Sequence, residues 1–188
     1  MKIFFNIFFI IFSLFCYQSY STEIKTIIQI DNNSITKIDL QNEIKIIEIL
    51  ENRKISDVEK QIILKDVINF KIKELECEKL KINVSKETVN KRVNKILNNN
   101  QEIQEPELKK IIYKKIKIQS QWNRLVLLRF KNKVEININE IKENILSKNL
   151  PKDNLNQYIE IEKEKKLNIL SRAYLNEVKS KYLVKTIQ

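Results

Sequence analysis

The strongest constraint on the fold lies in residues 55–85, ISDVEKQIILKDVINFKIKELECEKLKINVS. Ser56 and Glu59 form an S-x-x-E pattern, in which the serine side chain accepts an orphan backbone N–H and the glutamate reaches back. Helix-forming residues then run without a break to Leu80, a rod of about 36 Å at 1.5 Å per residue. Ile62, Ile63, Leu64, Val67, Ile68, Phe70, Ile72 and Leu75 lie along it. At 100° per residue they point nearly all round the axis, so this helix is expected to be surrounded by other elements. Lys81 to Val84 alternates and leads into a new cap at Ser85. A long buried helix with marked ends makes the spine of a helical domain, and the 188 residues leave room for one such domain with a real core.

The other signals fall around that spine. Residues 23–30 (EIKTIIQI) alternate loosely and are rich in isoleucine, which predicts a short strand. Asp31, Asn32, Asn33 and Ser34 supply turn chemistry. Thr36, with Asp39 three positions on, caps a first helix whose apolar stripe is Leu40, Ile44, Ile47 and Leu50. A third helix begins at Ser85, with Val89, Val93, Ile96 and Leu97 as its stripe. Residues 98–104 read as a polar loop, and Pro106 suits the first turn of the next helix, where its missing N–H costs nothing. That helix should reach Phe130, with Leu108, Ile111, Ile118, Trp122, Leu125 and Val126 inward and Trp122 as a core anchor. Asn137 and Glu140 suggest a further capping box before a short helix carrying Ile141 and Ile145.

Residues 147–156 (SKNLPKDNLN) form the most loop-like stretch beyond the N-terminal leader and hold one of only two prolines. The last helix is expected over 157–180, apolar at Leu167, Leu170, Tyr174 and Val178, with Glu162–Lys166 and Glu177–Lys181 as solvated i,i+4 pairs. Residues 182–187 switch to β-formers, and an end strand needs a partner. Residues 23–30 are the one good candidate. The fold class is therefore mainly α: a single domain of about six helices, with a small β-ribbon pairing the N-terminal strand (about 24–30) with the C-terminal one (about 182–187).

Composition sets the chemistry. The chain contains no glycine and no histidine, and 35 basic against 24 acidic side chains give a net charge of +11. Abundant Lys, Ile and Asn together are what AAA- and ATT-type codons produce, so the excess charge does not by itself mark a binding patch. Without histidine there is no Ser–His–Asp or Cys–His machinery and no imidazole metal site. Without glycine there is no phosphate-cradling loop of the Gly-dependent kind. Acidic residues alternate with lysines on faces expected to be solvated, and none makes a carboxylate dyad. No catalytic, cofactor-binding or metal-ligating residue is assigned, and no cofactor is expected.

The N-terminus has the layout of a secretory signal peptide over residues 1–21. Lys2 is the positive flank, residues 3–15 form an apolar stretch too short for a spanning helix, and Ser19 and Ser21 are the small residues before a cleavage point between Ser21 and Thr22. The alternative is an uncleaved anchor. A lipid-modified Cys16 is disfavoured because Phe15 fills the position that needs a small residue. Cleavage would leave Cys77 alone, too few thiols for an internal disulfide and best read as a small buried apolar residue.

The order of these signals resembles the N-terminal region of SurA-type periplasmic chaperones. ITKIDL at 35–40 is similar to the family's V-I-T-x-x-D-L. VINFKIKELECEKLKINVS at 67–85 is similar to L-I-x-x-K-L-L-x-x-E-A-x-x-L-G-I-x-V-S. IQSQWNRLVLLRFKNKVEININEI at 118–141 is similar to the helix and V-x-I-S-x-x-E-I cap that follow, and LSRAYLNEVKSKYLVKTI at 170–187 to the closing helix and strand. Two departures stand out. Lys81 occupies a position where the family has a helix-terminating glycine, which implies a distorted or extended helix exit. The family's parvulin isomerase domains, on the order of 100 residues each, have only the loop at 147–156 in their place.

The resemblance implies one chaperone domain over 22–188, located in the periplasm. It would bind unfolded outer-membrane polypeptides in an apolar cradle without isomerase chemistry; no residue is assigned to line that cradle. Two other readings remain. One is a prolyl isomerase relative by descent. The other is a basic module for an anionic membrane surface; nucleic acid is not an expected partner of an exported chain.

Overall fold

A computed structural model describes residues 25–100, 102–148, 151 and 154–187. Strand β1 (Thr26–Ile30) turns at Asp31 and Asn32 into β2 (Asn33–Thr36). Helices α1 (Lys37–Glu51), α2 (Asp57–Lys79), α3 (Lys86–Asn99) and α4 (Pro106–Phe130) follow. A 3-10 turn (Lys131–Lys133), α5 (Ile138–Ser147), α6 (Leu155–Lys179) and strand β3 (Val184–Thr186) complete the order. The protein is thus mainly α, with six helices among the described residues and a small antiparallel sheet that joins the two ends of the chain.

The sheet has one strand more than a terminal ribbon. Its order is β2-β1-β3, because the turn takes only two residues and Asn33–Thr36 pairs back onto β1. Ile28, Ile30 and Ile35 point to the helical side and are buried, as the period of two requires. β3 aligns Ile28 with Thr186, Gln29 with Lys185 and Ile30 with Val184.

Local signals account for most helix ends. Thr36 accepts from the Asp39 N–H while Asp39 accepts from the Thr36 N–H, and Ser56 and Glu59 do the same. Pro106 opens α4. Asn137 accepts from the N–H groups of Asn139 and Glu140, but the Glu140 side chain makes no return bond to the Asn137 N–H, so the expected capping box is only half formed. Ser85 stands at the start of α3, but its side chain makes no capping bond. With no glycine in the chain, the left-handed positions fall to Asp31 (φ 48°), Asn52 (φ 49°) and Lys81 (φ 52°). The α2 exit is neither distorted nor extended. Ile82 N–H donates to the Cys77 carbonyl (2.9 Å) and Lys81 N–H to that of Glu78 (3.0 Å), the two bonds of a Schellman closure with lysine in the left-handed place.

The buried residues form two clusters. One gathers the inner face of the sheet, Ile72 and Cys77 of α2, Trp122, Leu125 and Val126 of α4, and Tyr174 and Val178 of α6. The other joins Ile46 of α1, Val89 and Val93 of α3, Leu108 and Ile112 of α4, and Ile103. The central helix is therefore α4, which serves both clusters and packs against α2, α3 and α6. The spine expected at α2 is surrounded mainly toward its C-terminal end: near its start Ile63 is buried, but Val58 and Ile62 are 75% and 55% exposed, with no described residue covering them.

Other expectations shift by local register. In α1 the buried residue is Ile46, while Leu50 is exposed. Ile112 rather than Ile111 is buried in α4, and Ile103 anchors a loop that reads as polar. Trp122 is the core anchor its context predicts: its ring stacks on Tyr174 at 5.3 Å and its Nε1–H donates to Ser171 Oγ at 2.9 Å. The Glu177–Lys181 pair forms at 2.9 Å. The Glu162–Lys166 pair does not; Lys166 instead donates to the Glu135 carbonyl, tying α6 to the segment before α5.

Candidate functional site

On α2, Val67, Phe70, Lys71 and Glu74 recur at three- and four-residue spacing and so share one face. On α4 the same spacing brings Ile111, Lys114 and Lys115 together. These two faces, with Asp39 and Glu43 of α1, Ser34 and Ile35 of β2 and Leu175 of α6, enclose an open cleft of about 370 Å³. Its apolar part comes from Val67, Phe70, Ile111, Ile35 and Leu175. Four carboxylates and four ammonium groups ring it, counting Asp66 and Lys73 of α2. The cleft is a mixed-charge groove, apolar in part.

Most of these charges are already engaged. Glu74 is 6% exposed yet receives Lys114 Nζ at 2.6 Å and Lys71 Nζ at 2.8 Å. Burial works to raise its carboxyl, and the hydrogen bonds from Lys114 and Lys71 outweigh that and hold it below the usual range. Lys115 pairs with Glu43 and joins α4 to α1. Asp39 is held by Thr36 at the helix cap. Burial lowers the Lys73 ammonium; it donates to Gln119 Oε1 at 3.2 Å and lies 5.7 Å from the Trp122 ring centre. Asn69 also lines the cleft, and its buried Oδ1 meets no hydrogen-bond partner among the described residues.

A second buried carboxylate lies on the same helix. Glu76 accepts from the hydroxyls of Tyr174 (2.9 Å) and Tyr182 (3.4 Å), fastening α6 and the C-terminal tail to α2. Burial, and then Glu76 itself, pushes the Tyr174 and Tyr182 hydroxyls up to about 12. Glu74 and Glu76 correct the expectation that acidic residues stand on solvated faces. The signal was present in FKIKELECEK, where apolar side chains point all round the axis and leave no wholly wet face for acids.

The arrangement suits non-covalent binding: apolar side chains in the cleft, with carboxylates neutralised by lysines at its walls. Cys77 is buried, and burial pushes its thiol up to about 12, which keeps it protonated. Among the described residues no group of three or more Cys, Asp or Glu side chains is placed to hold a metal ion. Nor is any helix there long and apolar enough to cross a membrane. The cleavage residues Ser21 and Thr22, like the whole leader, lie outside the described residues. No protein-family model matches the chain, and no curated protein matches it either.

Proposed function

We propose that this protein is a periplasmic chaperone that holds unfolded outer-membrane polypeptides without isomerase chemistry and without a cofactor. The order of elements supports the reading: strand and turn, capped helices, then a closing helix and strand that return to the first, as in the SurA-type N-terminal region that the sequence resembles. The observation that carries it is the cleft between α1, α2, α4 and α6, where half-buried apolar side chains lie between fixed charges. An unfolded chain offers apolar and charged groups together, and such a lining accommodates both.

The test is light scattering from a diluted, unfolded β-barrel protein. Stoichiometric amounts of the protein should suppress its aggregation, and Phe70→Ser should weaken the effect while leaving the far-UV circular dichroism intact. Phe70 suits the purpose because it lines the cleft without belonging to either buried cluster. Unchanged scattering at excess protein would sink the proposal. Salt-sensitive binding to anionic vesicles, with no effect on unfolded protein, would favour the basic surface module instead. A protease-coupled proline peptide assay should give no rate above background.

A further inference from the structure

The sheet leaves one edge open. On the β1 side of β3, Asp31 N–H donates to the Leu183 carbonyl at 3.0 Å and Ile187 N–H to that of Ile27 at 2.9 Å. An antiparallel ladder alternates, so Leu183, Lys185 and Ile187 turn their backbone groups toward β1. Val184 and Thr186 turn theirs away, and these meet no partner among the described residues. Two donors and two acceptors at strand spacing match only another extended backbone. The opposite edge is different: β2 runs directly into α1, and its Ser34 already lines the cleft.

The side chains of this edge choose the occupant. Leu183, Val184 and Ile187 are exposed large apolar residues, an unusual concentration for a five-residue tail. Lys185 sits at the middle of the strand and is exposed. If a second copy of the chain paired here about a two-fold axis, the register that engages both outward residues of each copy would bond Val184 to Thr186 of the other copy. Lys185 would then face Lys185 in the close, non-hydrogen-bonded position, where like charges repel. A strand with a carboxylate at that position is attracted instead.

We infer that the outer edge of β3 takes an extended segment of an unfolded polypeptide as a fourth strand, apolar in alternation and bearing Asp or Glu opposite Lys185. That the segment comes from a barrel protein rests on the chaperone reading; the edge itself does not. Membrane β-barrel strands alternate in this way and are unpaired before they fold.

The test uses the purified protein and two fluorescent peptides of alternating valine and threonine, one with a central glutamate and one with a central lysine. The glutamate peptide should bind about tenfold more tightly, and Lys185→Glu should reverse the order. Thr186→Pro removes an outward N–H and leaves the bonds of Lys185 and Ile187 to β1; it should weaken both peptides about tenfold. In the unsubstituted protein, hydrogen exchange at Val184 and Thr186 should slow on adding the glutamate peptide, a readout that needs no variant to fold. Exchange that does not slow, or an order that Lys185→Glu leaves unchanged, overturns the inference. Exchange that slows with protein concentration alone assigns the edge to a second copy and also overturns it. If barrel aggregation is suppressed while these amides stay unprotected, the edge site fails and the chaperone reading stands. If the amides are protected and aggregation is not suppressed, the chaperone reading fails and the edge site stands.

Discussion

At Lys81 the backbone holds φ 52°, a region where a Cβ crowds the following carbonyl and costs about 1–2 kcal/mol. Asp31 and Asn52 share the conformation, which their residue types adopt more readily than lysine does. A chain without glycine has to place such residues wherever a helix or hairpin closes left-handed. Lys81→Gly should relieve the strain at the end of α2. Glycine's greater freedom in the unfolded chain offsets part of the gain, leaving about 0.5–1 kcal/mol. Urea denaturation should show a higher midpoint with an unchanged slope; a lower midpoint would mean that the lysine makes an interaction worth more than the strain. The family resemblance located this residue in the sequence. What it did not supply was the outcome, a regular closure with lysine in the glycine place.

Among the elements, the start of α2 shows how far a local pattern reaches. The Ser56–Glu59 box was legible because all its partners lie within four residues. The tertiary addition is Arg53, whose guanidinium reaches Glu59 at 2.6 Å. Its hydrogen bond and those from Ser56 bring the Glu59 carboxyl from an ordinary 4.5 down to about 2. A depressed carboxylate stabilises the fold fully above its unfolded value, and that contribution disappears as pH falls from about 4.5 toward 2. Carboxyl NMR should therefore find Glu59 titrating near 2, with the first turn of α2 loosening over the same interval. Glu59→Gln should remove the pH dependence from that window. A midpoint near 4.5 would mean that solvent dissolves the cluster. Ser85 marks the limit of such patterns: the same residue type at a helix start makes no capping bond.

Across the whole molecule, Glu76 binds regions far apart in the chain. Its tyrosine partners are 98 and 106 residues away, so the closing helix and tail are anchored to α2 through one buried carboxylate. Tyr174→Phe keeps the ring that stacks on Trp122 and removes the shorter hydrogen bond. It should cost about 1–3 kcal/mol, because the carboxylate is left underpaired where water is excluded. Tyr182→Phe, at 3.4 Å in a half-buried place, should cost less than about 1 kcal/mol. Equal losses in thermal denaturation would contradict this division. Neither bond could be read from sequence, because no pattern within α2 says which neighbours will cover Glu76.

The sequence by itself determined the helices and most of their limits, the capping boxes at Thr36 and Ser56, the buried Trp122 and the pairing of the two chain ends. Each depends on contacts within a turn, on a period, or on a terminal strand having a single candidate partner. Tertiary structure decided the rest: α4 rather than α2 as the central helix, a third strand beside β1, the burial of Glu74 and Glu76, and the mixed-charge cleft. A helix with apolar residues all round can be covered from several directions. Only packing selects among them, and the selection places a carboxylate beside lysines from another helix or leaves it in water.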